Sequence, residues 1–159
     1  MGVAGSGKTT VGRLLARRLE WQFWDADDFH PEQNIRKMQN GKALSDEDRL
    51  PWLLHLRAIL EQSLEQERSG VLACSALKEG YRRILADGLC AVHFVYLRGS
   101  RDVLAARLNA RHGHFMNPEL LDSQLATLEE PHDGIVADIR QTPEEIVEAI
   151  VKAVMTKAC

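Results

Sequence analysis

The segment from Gly2 to Thr9 carries the residue types and spacing of a phosphate-binding loop, G-x-x-x-x-G-K-[ST], with a match at every specified position. Glycines allow successive backbone N–H groups to point at a phosphate, and a helix beginning at Lys8 adds the positive end of its dipole. The lysine can then reach the β- and γ-phosphates of ATP, and the threonine hydroxyl can ligate Mg²⁺. We therefore predict an ATP site formed by Gly2, Val3, Ala4, Gly5, Ser6, Gly7, Lys8, Thr9 and Thr10, with Lys8 catalytic and Thr9 the metal ligand.

Other interpretations of these residues fit less well. A dinucleotide fingerprint would need glycine at position 10, where Thr10 stands. Met1-Gly2 with Ser6 satisfies a myristoylation template, but the phosphate loop already accounts for these residues. The strings N-K-x-D and D-x-x-G of regulatory GTPases do not occur, and 159 residues are too few for a large motor-type ATPase. A small kinase is the class that remains.

A second group of residues that could do chemistry, DADDFH at positions 25–30, follows the strand predicted at about 21–24, and ligands of open α/β sheets bind at the carboxyl ends of strands. A hydroxyl acceptor loses its proton during phosphoryl transfer, and an aspartate in contact can take or orient that proton. We favour Asp27 for this role. The alternative is that one of these acids caps the next helix, which Asp28 could do. His30 could donate to a substrate hydroxyl or could be a loop histidine without a role.

Helices and strands that alternate along the chain must position both the phosphate loop and the acidic segment at 25–30. Apolar spacing predicts helices at about 8–19, 51–64, 78–86, 100–111, 119–128 and 143–154. The residues 28–41 contain a further helical stretch, which Pro31 opens and Asn40-Gly41 closes. Apolar spacing also predicts strands at about 21–24, 71–74, 90–97 and 135–139, with Pro51 in the first turn of its helix. This alternation is typical of a three-layer α/β fold with a mainly parallel sheet. The strand that should precede the phosphate loop has only Met1 to represent it, so we expect the natural chain to begin several residues upstream.

The length and amino-acid composition of the chain exclude several classes of protein and partner. The length and the 45% apolar content predict one globular domain spanning 1–159, and the net charge of −3 argues against nucleic acid as a partner. Cys74, Cys90 and Cys159 are widely spaced, which disfavours a disulfide framework or a zinc site and favours a reducing cytoplasm. No apolar run approaches the roughly 18 residues of a membrane-spanning helix, so no membrane partner is expected.

Five motifs then resemble those of the thermoresistant gluconokinases, which are grouped with shikimate and nucleoside monophosphate kinases. They are DADDFHP at 25–31, N-x-x-K-M at 34–38, L-S-D-x-D-R-x-P-W-L at 44–53, C-S-A-L-K-x-x-Y-R at 74–82 and G-H-F-M at 113–116. The resemblance covers essentially the whole chain. It implies ATP-dependent phosphorylation of D-gluconate to 6-phospho-D-gluconate, in the cytoplasm and often by a homodimer. It also implies the P-loop NTPase strand order 2-3-1-4-5 with the first strand central, an acceptor-binding segment at about 27–60 and a lid at about 111–119.

Gluconate is a carboxylate with five hydroxyls, so its site needs a cation and hydrogen-bonding groups. Arg49 offers a bidentate fork, by analogy with shikimate kinases, and Lys37 offers a second charge. Lys78 and Arg82 are four residues apart on one helical face and are candidates for contact with acceptor or phosphate. The alternative for Arg49 and Lys37 is a solvated side chain. The alternative for Lys78 and Arg82 is an ion pair with a surface acid such as Glu79.

Arg107 and Arg111 are also four residues apart, just before the segment that the resemblance identifies as a lid over ATP. We predict that both contact phosphate, with Arg111 catalytic. His114 is assigned a lid or substrate role rather than metal binding, because Mg²⁺ prefers oxygen ligands. The strand predicted at 71–74 is followed by Ser75 and lacks an aspartate that could hold magnesium, which leaves Asp27 a candidate for contact through water. Gln141-Thr142-Pro143 is the candidate adenine contact, or simply a helix cap.

Two alternatives stay open beside gluconate phosphorylation. One is a kinase of another small hydroxy acid such as shikimate, and the other is a catalytically silent nucleotide-binding protein.

Overall fold

Helices and strands alternate along the computed structural model, which describes residues 1–110 and 118–156. The helices are α1 (Lys8–Leu19), α2 (Glu32–Gln39), α3 (Asp46–Glu65), α4 (Glu79–Ala86), α5 (Arg101–Asn109), α6 (Pro118–Thr127) and α7 (Pro143–Thr156), with a 3₁₀ helix at Ala26–Phe29. The strands are β1 (Gln22–Asp25), β2 (Gly70–Ala73), β3 (Val95–Arg98) and β4 (Ile135–Asp138). The predicted α/β class is confirmed.

The four strands form two parallel pairs with Met1 between them. β1 pairs with β2, and β3 pairs with β4. The Met1 amino group donates to the Val95 carbonyl, and Leu97 N donates to the Met1 carbonyl at 3.0 Å. Gly2 N donates to the Ser75 carbonyl just beyond β2 at 3.2 Å. Met1 therefore lies where the predicted strand order places the central strand.

Apolar side chains pack on both faces of these strands, which gives three layers. One cluster joins α1, α5 and α7 to β3 and β4, and it includes Leu15, Leu104 and Ile150. The other cluster joins α3 and α4 to the region of β2, and it includes Trp52 and Leu85. A cavity of about 400 Å³ lies between β2 and β3 and is bordered by Met1, by α1 and by α7. None of the helices within 1–110 and 118–156 is long and apolar enough to cross a membrane.

Two element boundaries differ from the sequence prediction. The prediction of Pro51 in a first helical turn was wrong, because Ser45 and Asp48 form a capping box that starts α3 at Asp46 and leaves Pro51 inside the helix. The strand predicted at 90–97 is only Val95–Arg98. Its partner β4 begins at Ile135, which pairs with Val95, so residues 90–94 have no partner residues in β4.

Candidate active site

The phosphate loop crosses from the sheet to the first turn of α1. Gly5 and Gly7 have φ of +79° and +92°, a left-handed region that other residues rarely adopt. A Cβ at Gly5 would also lie 2.9 Å from Leu108 Cγ. The Lys8 ammonium donates to the Val3 carbonyl at 3.1 Å, which holds it over the mouth of the loop. The left-handed glycines give the loop the turn that the motif predicts, at the start of α1.

The Thr9 hydroxyl, predicted to be a metal ligand, has a carboxylate partner. Its Oγ1 donates to Asp25 Oδ2 at 2.8 Å, and Asp25 is the last residue of β1. Hydroxyl and carboxylate oxygens are the ligands that Mg²⁺ prefers, so this pair fits a magnesium ion beside the loop. Sequence reasoning did not select Asp25. The signal was available, because D-x-D at the carboxyl end of a strand places its first aspartate toward the phosphate loop.

Asp27 lies on the exposed 3₁₀ helix immediately after this pair. Its backbone N–H donates to Asp25 Oδ1 at 3.3 Å, so Asp25 both caps the 3₁₀ helix and bonds to Thr9. The Asp27 carboxylate itself is exposed. The predicted acceptor base therefore stands two residues from the candidate magnesium ligand, open to solvent.

His30 packs against a buried tryptophan at the start of the acceptor segment. Its ring stacks on Trp52 with centroids 4.2 Å apart and planes 14° apart. Trp52 Nε1 donates to the Ala26 carbonyl at 2.8 Å, which fixes the indole. Burial lowers the pKa of His30, and the Asp27 carboxylate partly opposes this shift. His30 Nδ1 is buried and has no hydrogen-bond partner among the described residues. Burial, with a smaller contribution from the Arg49 guanidinium, thus favours the neutral imidazole.

The cations predicted for the acceptor differ in what they contact. Lys37 forms an ion pair with Asp48, and the same contact lowers the pKa of that carboxyl group. Lys78 donates to both oxygens of Asp46 at 2.8 Å, which raises the lysine pKa. Arg49 forms no ion pair with a carboxylate within 1–110 and 118–156, although its charge contributes to the lowered pKa of Asp46. Of the three, it is therefore the cation best placed to meet an anionic ligand.

An aromatic ring supports Arg49. The guanidinium carbon lies 5.8 Å from the centre of the Tyr81 ring, and Arg49 Nε is buried without a hydrogen-bond partner in the described part of the chain. Lys78 lies over the same ring at 5.3 Å, and the Tyr81 hydroxyl donates to Asp46. Tyr81 thus joins the first turn of α4 to the start of α3, and both cations contact its ring.

Arg82 is placed differently from the other predicted substrate residues. It is 4% exposed, and its guanidinium donates to Glu79 Oε2 and to the carbonyls of Ala76 and Leu77. These contacts fix the turn between β2 and α4 and favour the structural alternative, pairing with Glu79, over a substrate contact. The substrate role of Arg82 stays a prediction.

Arg107 lies on the opposite side of the phosphate loop from the acceptor segment. Its Nη2 donates to the Ile139 carbonyl, and a cavity of about 280 Å³ beside it is also lined by Gly7, Thr10, Gln141 and Pro143. The predicted phosphate and adenine contacts therefore share one cavity next to the loop. Arg111, His114 and most of the predicted lid at 111–119 lie outside the described residues.

The phosphate loop, the parallel strands and the layers of helices together define a P-loop kinase. The family model described as shikimate kinase matches residues 4–155. A probable gluconokinase of Mus musculus is 45% identical over 96% of this chain and 94% of its own. The thermoresistant gluconokinase of Escherichia coli is 40% identical over 97% of this chain and 90% of its own. A crystal structure of a gluconokinase from Sinorhizobium meliloti, 42% identical, superposes with a TM-score of 0.83 over 98% of this chain and 89% of that one.

The chain belongs to the gluconokinase family, within the group that the shikimate kinase model describes. The family resemblance deduced from the five motifs is thereby confirmed. A Mycobacterium tuberculosis APS kinase, 15% identical with a TM-score of 0.68, shares the fold alone.

Proposed function

We propose that this protein transfers the γ-phosphoryl group of ATP to D-gluconate, giving 6-phospho-D-gluconate and ADP. The observation that carries the choice of acceptor is Arg49, a cation without a carboxylate partner among the described residues and with a buried, unsatisfied Nε. A guanidinium in this state favours a ligand with a carboxylate, because a planar fork binds both carboxylate oxygens. Membership of the gluconokinase family supports the same acceptor.

The residues named below have the following roles in this reaction. The loop N–H groups and Lys8 hold the phosphates, and Arg107 with its cavity holds the base and its neighbouring phosphate. Asp27 takes the proton of the acceptor hydroxyl as that oxygen bonds to the γ-phosphorus and the bond to the ADP oxygen breaks. Arg49 holds the acceptor carboxylate, assisted by Lys37 and Lys78, while His30 bonds to a hydroxyl.

We propose Mg²⁺ as the metal, held by Thr9 and Asp25. When bound, the ion neutralises charge on the phosphate oxygens during transfer. The chain's own part is to present the Thr9 hydroxyl and the Asp25 carboxylate, which lie 2.8 Å apart, at the edge of the loop.

We also propose a cytoplasmic homodimer. The cysteine pattern supports a reducing compartment. Leu50 and Leu54, one turn apart on α3, are 44% and 52% exposed and support a contact between copies. Light scattering of the purified protein measures the assembly directly, and a monomer at micromolar concentration would contradict it.

An acceptor panel tests the reaction. The purified protein is mixed with ATP and Mg²⁺ and with gluconate, shikimate or the neutral polyol glucitol, and ADP release is followed. We expect turnover with gluconate, a product that 6-phosphogluconate dehydrogenase oxidises, and no turnover in a Lys8→Met variant. Preference for shikimate would support the other hydroxy-acid kinase. ATP binding without turnover on any acceptor would support the silent nucleotide-binding protein.

A further inference from the structure

A glutamine from α6 contacts the phosphate loop. The backbone N–H of Ala4 donates to Gln124 Oε1 at 2.7 Å, across 120 residues of sequence. Gln124 is half-buried and lies near the end of α6. The phosphate-loop motif assigns no side chain to this N–H, because loops of this type use their N–H groups for phosphate. The contact therefore adds a residue to the site that the motif does not contain.

The same peptide group connects Gln124 to Lys8. The N–H of the Val3–Ala4 peptide bonds to Gln124, and its carbonyl accepts from the Lys8 ammonium at 3.1 Å. A trans peptide is planar, so its N–H and its C=O point in opposite directions and turn together. An acceptor that fixes the N–H consequently fixes the direction of the carbonyl on which the ammonium rests.

The Val3–Ala4 peptide is held at both of its polar atoms. Ser6 N–H donates to the Val3 carbonyl at 3.3 Å, and Gln124 accepts from the Ala4 N–H. The Val3 side chain is buried in the core, which anchors the Cα but does not set the plane of the following peptide. Gln124 therefore adds a contact from a distant element to a hydrogen bond made within the loop.

We propose that Gln124 is a positioning residue for Lys8, acting through the Val3–Ala4 peptide. The carboxamide oxygen holds the peptide plane, and the carbonyl keeps the ammonium at the place where the β- and γ-phosphates bind. The inference rests on the proposed kinase reaction for its effect on turnover, but the hydrogen bond itself can be tested without any acceptor.

The test compares three variants. Gln124→Met keeps the length of the side chain and removes the acceptor, and Gln124→Glu keeps an acceptor oxygen. Gln62→Met is the matched control, because Gln62 is an exposed glutamine on α3 without a side-chain contact among those the structure describes. Turnover gives kcat and the KM for each substrate, amide hydrogen exchange gives the protection of the Ala4 N–H, and thermal unfolding gives Tm.

We expect Gln124→Met to lower kcat about three- to tenfold, as expected for the loss of one net hydrogen bond, with the KM for gluconate little changed. Exchange at Ala4 should accelerate in the same variant. Gln124→Glu should recover most of kcat while raising the KM for ATP, because its charge repels the phosphates. Gln62→Met should match the parent protein in all measurements.

Three results would overturn the proposal. They are an unchanged kcat in Gln124→Met, with or without a lower Tm, a kcat that does not recover in Gln124→Glu, and unchanged exchange of the Ala4 N–H in Gln124→Met. If the parent protein does not turn over gluconate, the proposed function fails, and the exchange measurement still decides whether Gln124 holds the loop.

Discussion

Replacing Arg49 with methionine tests the acceptor assignment most directly. The guanidinium stands over Tyr81 with a buried, unsatisfied Nε and without a carboxylate partner in the part of the chain that the structure describes. A hydrogen bond between charged groups contributes about 1.5–3 kcal/mol net, so its loss should lower kcat/KM for gluconate by about 10- to 150-fold. The substitution should mainly raise the KM for gluconate and leave kcat little changed, because the carboxylate is distant from the reacting hydroxyl.

The assay measures ADP release with gluconate and with glucitol, in which a neutral CH₂OH replaces the carboxylate. Arg49→Met should reduce the preference for gluconate over glucitol by the same factor and leave the KM for ATP unchanged. Lys37→Met is the matched control, since Lys37 already pairs with Asp48 and its side chain is 45% exposed. It should lower kcat/KM by no more than about fivefold, in line with a screened surface charge.

Stability is expected to change little in Arg49→Met. Loss of the contact with Tyr81 costs about 0.5–1 kcal/mol, which corresponds to a Tm lowered by roughly 1–4 °C in a chain of this size. An equal loss of activity on gluconate and glucitol would refute the reasoning, because it would mean that Arg49 does not recognise the carboxylate. A larger effect from Lys37→Met would transfer that role to Lys37.

Three further predictions concern the metal, the histidine and the buried arginine. Asp25→Asn should raise the Mg²⁺ concentration for half-maximal activity by about 10- to 100-fold, since it removes the carboxylate bonded to Thr9, whereas Asp28→Asn should not. Burial lowers the pKa of His30 from its ordinary value of 6.5, so the unfolded state binds a proton more readily and the free energy of unfolding falls as pH drops below that value. Thermal unfolding between about pH 7 and 5 should therefore show a shallower fall in His30→Asn, and an equal slope would contradict the assignment. Arg82→Met should lower stability by about 2 kcal/mol and Tm by roughly 4–8 °C with an unchanged KM for gluconate, whereas a raised KM with unchanged Tm would support a substrate contact.

The features that sequence predicted best are those determined by neighbouring residues. The phosphate-loop motif specifies both the glycine conformations and the helix that follows, and α1 spans Lys8–Leu19 as its apolar spacing predicts. The five family motifs needed only residue type and order, and the comparisons confirm the family. The strand order followed from the same resemblance.

The contacts that sequence missed depend on distant elements. Lys37 and Lys78 were predicted beside Arg49 as further cations for the ligand, but the structure pairs Lys37 with Asp48 and Lys78 with Asp46 on α3. The bond between Thr9 and Asp25 requires the register of β1 against α1. Pro51 was misplaced for a local reason, because the capping box at Ser45 starts α3 a full turn earlier.

The bond between Ala4 and Gln124 also bears on how the chain is made. The two residues are 120 positions apart, so the loop reaches its final form only after α6 has emerged from the ribosome. At about 5–20 residues per second, synthesis of that interval takes roughly 6–24 s. Closure of so long a segment also costs more entropy than a local turn. Although the phosphate loop is synthesised well before α6, the Val3–Ala4 peptide should take its final orientation only after α6 has been made.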